Sequence, residues 1–374
     1  FEEDGIAVCD EQGFQFNPLV RHDGNGNVFA VWGDMRSGSI GLYTQHLNPS
    51  TGINLEGNGL ELYFGIDGNG LQASSLYLGN DETLIYWEDK RLGIFADLTY
   101  GQKVYNGWEN IVEPNGYKLS NNIYQVNPKA EVSGDNIFVG FGEAFGNIAL
   151  HYQMLNNDLQ MQGDPNGTPV YIDLIEPTPQ NQYDLSSVDS GDIYFAFSDQ
   201  RNFIDNDIYL QKYSEDGVAS FSEPVLVVDN FFVDDNIKFV NSFAVDQTII
   251  AYDSGDFMGT RAMAISTDEE GSVISGWEGG VRLSTFEDDQ FIKGMVETSN
   301  GYFIIWKDQR SGSADIYGQA IADEKELEGI VARVMSNKDE IKRLTEQLTS
   351  NRILNFFKEN FNYKLKKVSY DEYI

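Results

Sequence analysis

"VWGDMRSGSIGLYTQHL", residues 31–47, closes an apolar run at Trp32, passes a charged, Gly-containing corner and returns through Leu42, Tyr43 and Gln45. Nearly the same stretch, "IWKDQRSGSADIYGQAI", stands at residues 305–321. Aligned on the aromatic that ends each apolar run, the chain holds six copies, at Trp32, Trp87, Phe141, Phe197, Tyr252 and Trp306. The successive spacings are 55, 54, 56, 55 and 54 residues. So regular a period, with about four strand-like runs per unit, is the sequence signature of a β-propeller blade.

Each unit reads as four strands. In the first, "NPLVRH", "NVFAVW", "GLYTQHL" and "GLELYF" are strands a to d, with "DGNGN" and "NPSTG" as turns. Strand b is apolar on both faces, as in "TLIYW", "NIFVGF" and "YFIIW", which suits the middle of a blade packed between neighbours. Five fourth strands are legible, and the sixth unit has none of its own. "GIAVCD", from Gly5, has the missing pattern. The fold expected is therefore all-β: a six-bladed β-propeller over residues 1–323, closed by an N-terminal strand at residues 4–10 that leaves no open edge.

The pattern W-x-D-x-R-x-G-x-x-D-I-Y-x-Q resembles the repeats of secreted bacterial β-propellers and, more distantly, the TolB-like repeat. Its best copy is Trp306, Asp308, Arg310, Gly312, Asp315, Ile316, Tyr317 and Gln319; the first has Trp32, Asp34, Arg36, Gly38, Tyr43 and Gln45. The resemblance implies a fold rather than an activity, because such propellers serve many purposes.

Charge and composition narrow the functions. With 25 basic and 59 acidic residues, the formal charge of −34 argues against nucleic acid as a partner. One cysteine, Cys9, forms no internal disulfide. No apolar run approaches the roughly 20 residues that span a bilayer. A first residue of Phe fits either a removed signal segment or a shortened chain, and a secreted or cell-surface bacterial location is what the repeat resemblance implies.

The pairs Asp34/Arg36, Asp89/Arg91, Asp199/Arg201 and Asp308/Arg310 occupy the turn between strands b and c. A catalytic residue is needed once; a motif in four of six units reads as a structural joint, with Asp capping turn amides and Arg reaching to the next blade. Gln15, Gln72, Gln125, Gln182 and Gln290 recur just before strand a and are expected at the channel mouth, as strand-end caps or as a ring of ligands. The repeat fails in two places. Glu143 and Phe145 replace the pair in the third unit, and Asp253, Asp256 and Phe257 in the fifth, giving an acidic, aromatic sector that reads either as the place where a ligand would bind or as drift of the repeat.

Enzymatic signals are weak. His22, His46 and His151 lack metal-ligand spacing, and no sialidase-type S-x-D-x-G-x-x-W box is present. No cofactor is implied; calcium is the ion that "DGNGN" at Asp23 and "DNFFVDDN" at Asp229 would suit, though neither has full loop spacing.

From residue 325 the composition changes. Residues 325–374 hold 10 basic and 8 acidic residues and a single glycine, Gly329. Leu327, Val331, Val334, Ile341, Leu344 and Leu348 fall at helical spacing, so residues 324–374 are expected as an α-helical C-terminal extension ending in a short strand-like segment. The function expected is a non-catalytic extracellular binding or assembly module, with a protein partner or self-association through those helices. The alternative is a carbohydrate-active propeller, lectin or glycoside hydrolase, with a glycan ligand and carboxylates and aromatics at the channel mouth.

Overall fold

A computed structural model of the chain describes residues 5–322, apart from 23–25, 49, 55–56, 67–72, 93–96, 106–114, 123, 144–148, 172–179, 181, 189, 202–204, 230–232, 243–246, 257–258 and 299–300. The chain forms two compact units, residues 1–297 with 303–319, and residues 298–302 with 320–374. The first unit carries everything argued below.

Among the described residues the structure is all-β: six antiparallel sheets follow one another along the chain. Their first strands are Gln15–His22, Ala73–Gly79, Gln125–Ser133, Tyr183–Ser187, Val233–Ser242 and Gln290–Thr298. Each pairs with a second strand that carries an anchor aromatic, and the second with a third. Second strands are the most buried, because sheets pack against both their faces; Leu84, Ile85 and Trp87 are inaccessible, as are Phe195, Ala196 and Phe197. Side chains from adjacent sheets interlock, as where Tyr63 of the first sheet stacks on Trp87 of the second at 6.1 Å.

Four of the outer strands are opened by a glycine for a physical reason. Gly59, Gly116, Gly167 and Gly280 have φ of +96°, +73°, +89° and +79°. A Cβ on the first three would fall 2.5 Å from the Trp32 ring, 2.6 Å from Trp87 and 2.7 Å from Phe141. In the first three sheets the anchor ring thus lies against the backbone that opens the outer strand. Gly116→Ala combines backbone strain with this clash and should cost about 3 kcal/mol, measured by denaturant unfolding.

Two expectations are not met among the described residues. Gly5–Asp10 forms no strand among the described residues, and the sixth sheet has three strands. Val8 and Cys9 instead pack on Ala30, Trp32, Tyr43 and Leu47 of the first sheet, with Asp10 N donating to Asn58 Oδ1 at 3.1 Å. Apolar side chains of this segment find a buried surface on the first sheet without pairing as an edge strand. No helix occurs among the described residues, and the expected α-helical extension and its docking or oligomerisation role lie outside them.

Candidate functional site

A cavity of about 320 Å³ opens where the first strands of sheets two to five converge. It is lined by Ala73, Ser74 and Tyr86 of the second sheet; Asn127, Pro128 and Lys129 of the third; Gln182 and Tyr183 of the fourth; and Ile237 and Lys238 of the fifth.

Two β-bulges build it. The register of the third sheet's first strand shifts between Val126 and Lys129, and that of the fifth between Asp235 and Lys238. Asn127 and Asn236 take φ of 52° and 47°, which Asn tolerates better than most residues. A bulge re-aims the side chains after it, and Lys129 and Lys238 follow directly. The bulges are held from neighbouring sheets: Asn127 N donates to Glu88 Oε1 at 2.7 Å, and Tyr183 Oη to Asn127 O at 2.6 Å.

Charged groups gather around the cavity. Lys129 Nζ donates to Asp184 Oδ1 at 2.9 Å and to Tyr183 O at 2.5 Å. Glu131 lies two residues past Lys129, on the same strand face, and accepts from Ser187 Oγ at 2.9 Å. Burial pushes the Glu131 carboxyl up to about 7, the negative Asp184 adds to the shift, and the Ser187 bond opposes it. Glu88 is also raised by burial, its bond from Asn127 opposing and Asp97 adding to the shift. Lys238 is lowered by burial and by Lys129.

The sequence-predicted candidates are not brought together here. Glu143 is half-buried and does not line the cavity; Phe145, Phe257, Gln72 and the Asp256 side chain lie outside the described residues. Asp253 is buried, and both its oxygens accept bonds, from Asn236 Nδ2 at 2.7 Å and Ile292 N at 2.7 Å. It ties the fifth sheet to the sixth.

Two of the predicted glutamines also join sheets. Gln125 accepts from Thr99 N of the second sheet at 3.1 Å, and Gln290 from Ala262 N of the fifth at 3.4 Å. Gln15 reaches Glu11 O and Asp34 Oδ1, both at 3.4 Å. In the fourth unit Gln180 has that role, bonding Leu150 N at 3.3 Å and Asp199 Oδ2 at 2.6 Å, whereas Gln182 lines the cavity.

The repeated corner has one geometry. Asp34, Asp89 and Asp308 each accept from the indole of the anchor Trp and from the backbone N–H and guanidinium of Arg36, Arg91 or Arg310. Asp199 does the same for Arg201, without an indole. Each Arg stacks on the tyrosine of its own third strand, and three also face an aromatic of the preceding sheet: Arg91 on Tyr63 at 4.2 Å, Arg201 on Tyr171 at 4.1 Å, Arg310 on Phe286 at 4.6 Å.

Of the histidines, His46 stacks on Phe29 and His151 on Phe141; the side chain of His22 lies outside the described residues. No group of three or more His, Cys, Asp or Glu side chains is placed to hold a metal ion among the described residues, and Asp23 is not among them. Exposed Asp229 does lie near buried Asp205 and Asp207. Burial first, then Asp205, Asp229 and Asp199, raise Asp207 to about 6. With a folded value above the ordinary 3.8, its contribution to stability is present below pH 3.8 and lost as pH rises through 6. Asp207→Asn should therefore stabilise the fold at pH 7.5 by about 1 kcal/mol and lose that gain below pH 4, read from unfolding at both pH values.

What the sequence reading missed is a period. Ser74, Lys129, Asp184, Lys238 and Lys293 are spaced 55, 55, 54 and 55 residues apart, the repeat length itself. The first four sit opposite Tyr86, Gly140, Ala196 and Ala251, each the residue before an anchor aromatic. Charge at one register of the innermost strands was the available signal.

No family model and no curated protein matches the chain. Solved structures do. An α-L-arabinanase of Penicillium chrysogenum complexed with arabinobiose superposes with a TM-score of 0.50 at 9% identity, over 82% of this chain and 93% of that one. A GH93 α-L-arabinofuranosidase of Fusarium graminearum gives 0.47 at 8%, over 82% and 91%, and a prolyl endopeptidase 0.45 at 10%, over 83% and 42%. At such identities the likeness concerns the fold alone: the chain has a β-propeller-like all-β fold. Two expectations are corrected by this neighbourhood. The arabinan-degrading neighbours are five-bladed propellers, against the six-bladed ring read from the repeat; a sequence period counts sheets, not how first and last close on each other. Those neighbours are also carbohydrate-active enzymes, against the non-catalytic binding or assembly module.

Proposed function

We propose that the chain is a carbohydrate-active propeller that cleaves glycosidic bonds at the cavity between sheets two and five. The observation that carries this is a pair of carboxyl groups beside the cavity-lining Lys129: Glu131, two residues along the same strand and pushed up to about 7 by burial with the negative Asp184 adding to the shift, and Asp184, which accepts from Lys129 Nζ at 2.9 Å. Glycoside hydrolysis needs that division, one carboxylic acid to protonate the leaving oxygen and one carboxylate to serve as base or nucleophile. Tyr86 and Tyr183 supply aromatic wall, and Gln182 and Asn127 amides for sugar hydroxyls. A polysaccharide substrate agrees with an enzyme working outside the cell, and the acidic surface with solubility there.

The test is release of reducing ends from a panel of arabinan, arabinoxylan and pectic polysaccharides by the full chain. Release from at least one is expected. Binding without release would leave a lectin, and neither binding nor release would remove the carbohydrate reading.

A further inference from the structure

One cation at the cavity has no carboxylate within ion-pair distance among the described residues. Lys238 has four charged neighbours that influence it, Lys129, Asp184, Asp253 and Lys293. Lys129 is matched by Asp184 at 2.9 Å. Asp253 has both oxygens occupied, by Asn236 Nδ2 and Ile292 N, and Lys293 is exposed beside Phe291. Lys238 remains. Lys238 lines the cavity, its ammonium donates to Ile237 O at 3.4 Å, and among the described residues no carboxylate stands within 4 Å of that ammonium.

This is costly in isolation. A half-buried ammonium loses hydration, and a like charge nearby adds repulsion; both act to neutralise Lys238. In residues 1–324, acidic side chains outnumber basic ones 51 to 15, so an uncompensated lysine is not what the composition would place there by default. Three of those 15 cations occupy one repeat position, and bulges aim two of them into the same cavity.

We propose that Lys238, with Lys129 behind it, forms a subsite for the carboxylate of an acidic sugar, so that the glycan taken by this cavity carries uronic acid residues. This rests on the carbohydrate reading above and names the substrate class. One lysine without a paired carboxylate suits a single carboxylate of a ligand. A phosphate dianion would meet the negative Asp184 and a partly ionised Glu131, without the arginine fork or array of backbone N–H groups that favours it. A uronate presents one carboxylate on a ring whose hydroxyls suit Gln182, Asn127 and Ser74, and whose apolar face suits Tyr86 or Tyr183.

Titration calorimetry on the full chain, with trigalacturonate and with neutral arabinotriose at low salt, tests it. Trigalacturonate is expected to bind at least about 10-fold tighter, as a charge-assisted bond to one buried cation allows. Lys238→Met should bring the two affinities together, whereas Lys238→Arg, which keeps the charge and serves as the control for folding, should retain most of the preference. Equal affinities in the wild type, or a preference untouched by Lys238→Met while Lys238→Arg stays folded, would overturn the subsite and leave the carbohydrate reading standing. A Lys238-dependent preference without hydrolysis of any glycan in the panel would support the subsite and remove the hydrolase reading.

Discussion

Glu131→Gln should lower the rate of glycan hydrolysis about 1,000-fold while leaving the fold intact, because the amide keeps the shape and the bond from Ser187 but carries no proton to give. The wild-type rate should fall as pH rises through about 7, where the buried carboxyl loses its proton. The variant should lack that limb. Stability supplies a second readout. The folded value of Glu131 lies above its ordinary 4.5, so its contribution to folding is fully present below pH 4.5 and lost as pH rises through about 7. At pH 8 the wild type holds a buried charge near Asp184, and Glu131→Gln does not. The variant should therefore be more stable than the wild type at pH 8 and no more stable at pH 4.5. A catalytic loss with a wild-type pH dependence of stability would mean that Glu131 is not the group titrating near 7.

Asp89→Ala should destabilise the protein by about 4 kcal/mol, measured by denaturant unfolding. Asp89 is inaccessible to solvent and accepts from Trp87 Nε1 at 3.1 Å, Arg91 N at 2.7 Å and the Arg91 guanidinium. Alanine removes all of these at once. It leaves a buried indole N–H without an acceptor and a guanidinium between Tyr63 and Tyr100 without its counter-ion. Asp89→Asn should cost clearly less, since the amide oxygen still accepts. Arg91→Ala should also be milder, because Asp89 keeps its bonds from the Trp87 indole and the backbone amide of residue 91. If Asp89→Ala and Arg91→Ala cost the same small amount, the corner is a surface ion pair and not a joint.

The two sites under test differ in how far they could be read in advance. The Asp–Arg corner repeats at fixed distance from the anchor aromatic, and its contacts lie mostly within one sheet, so sequence spacing located it. Glu131 stands in no repeated motif. Its partner Ser187 is 56 residues away, and its raised proton affinity comes from burial among neighbouring sheets. Gln182 and Gln180 show the same limit: the repeat pointed to Gln182 as the strand-end glutamine, yet Gln180 makes the bonds, because a two-residue offset is invisible until the sheets are packed. Asp253 was singled out as a binding residue, and packing instead gives both its oxygens partners.

The alternation of strands, the aromatic anchors and the turns between strands were legible in the sequence alone. These depend on period-two alternation, turn chemistry and backbone sterics, which act over a few residues. Only the tertiary structure decided that the N-terminal segment lies on the first sheet, that Asp184 faces Lys129, and that Lys238 is left with an unmatched charge. Those outcomes depend on desolvation and on Coulomb interactions between groups about 55 residues apart, and such energies exist only once the sheets have met.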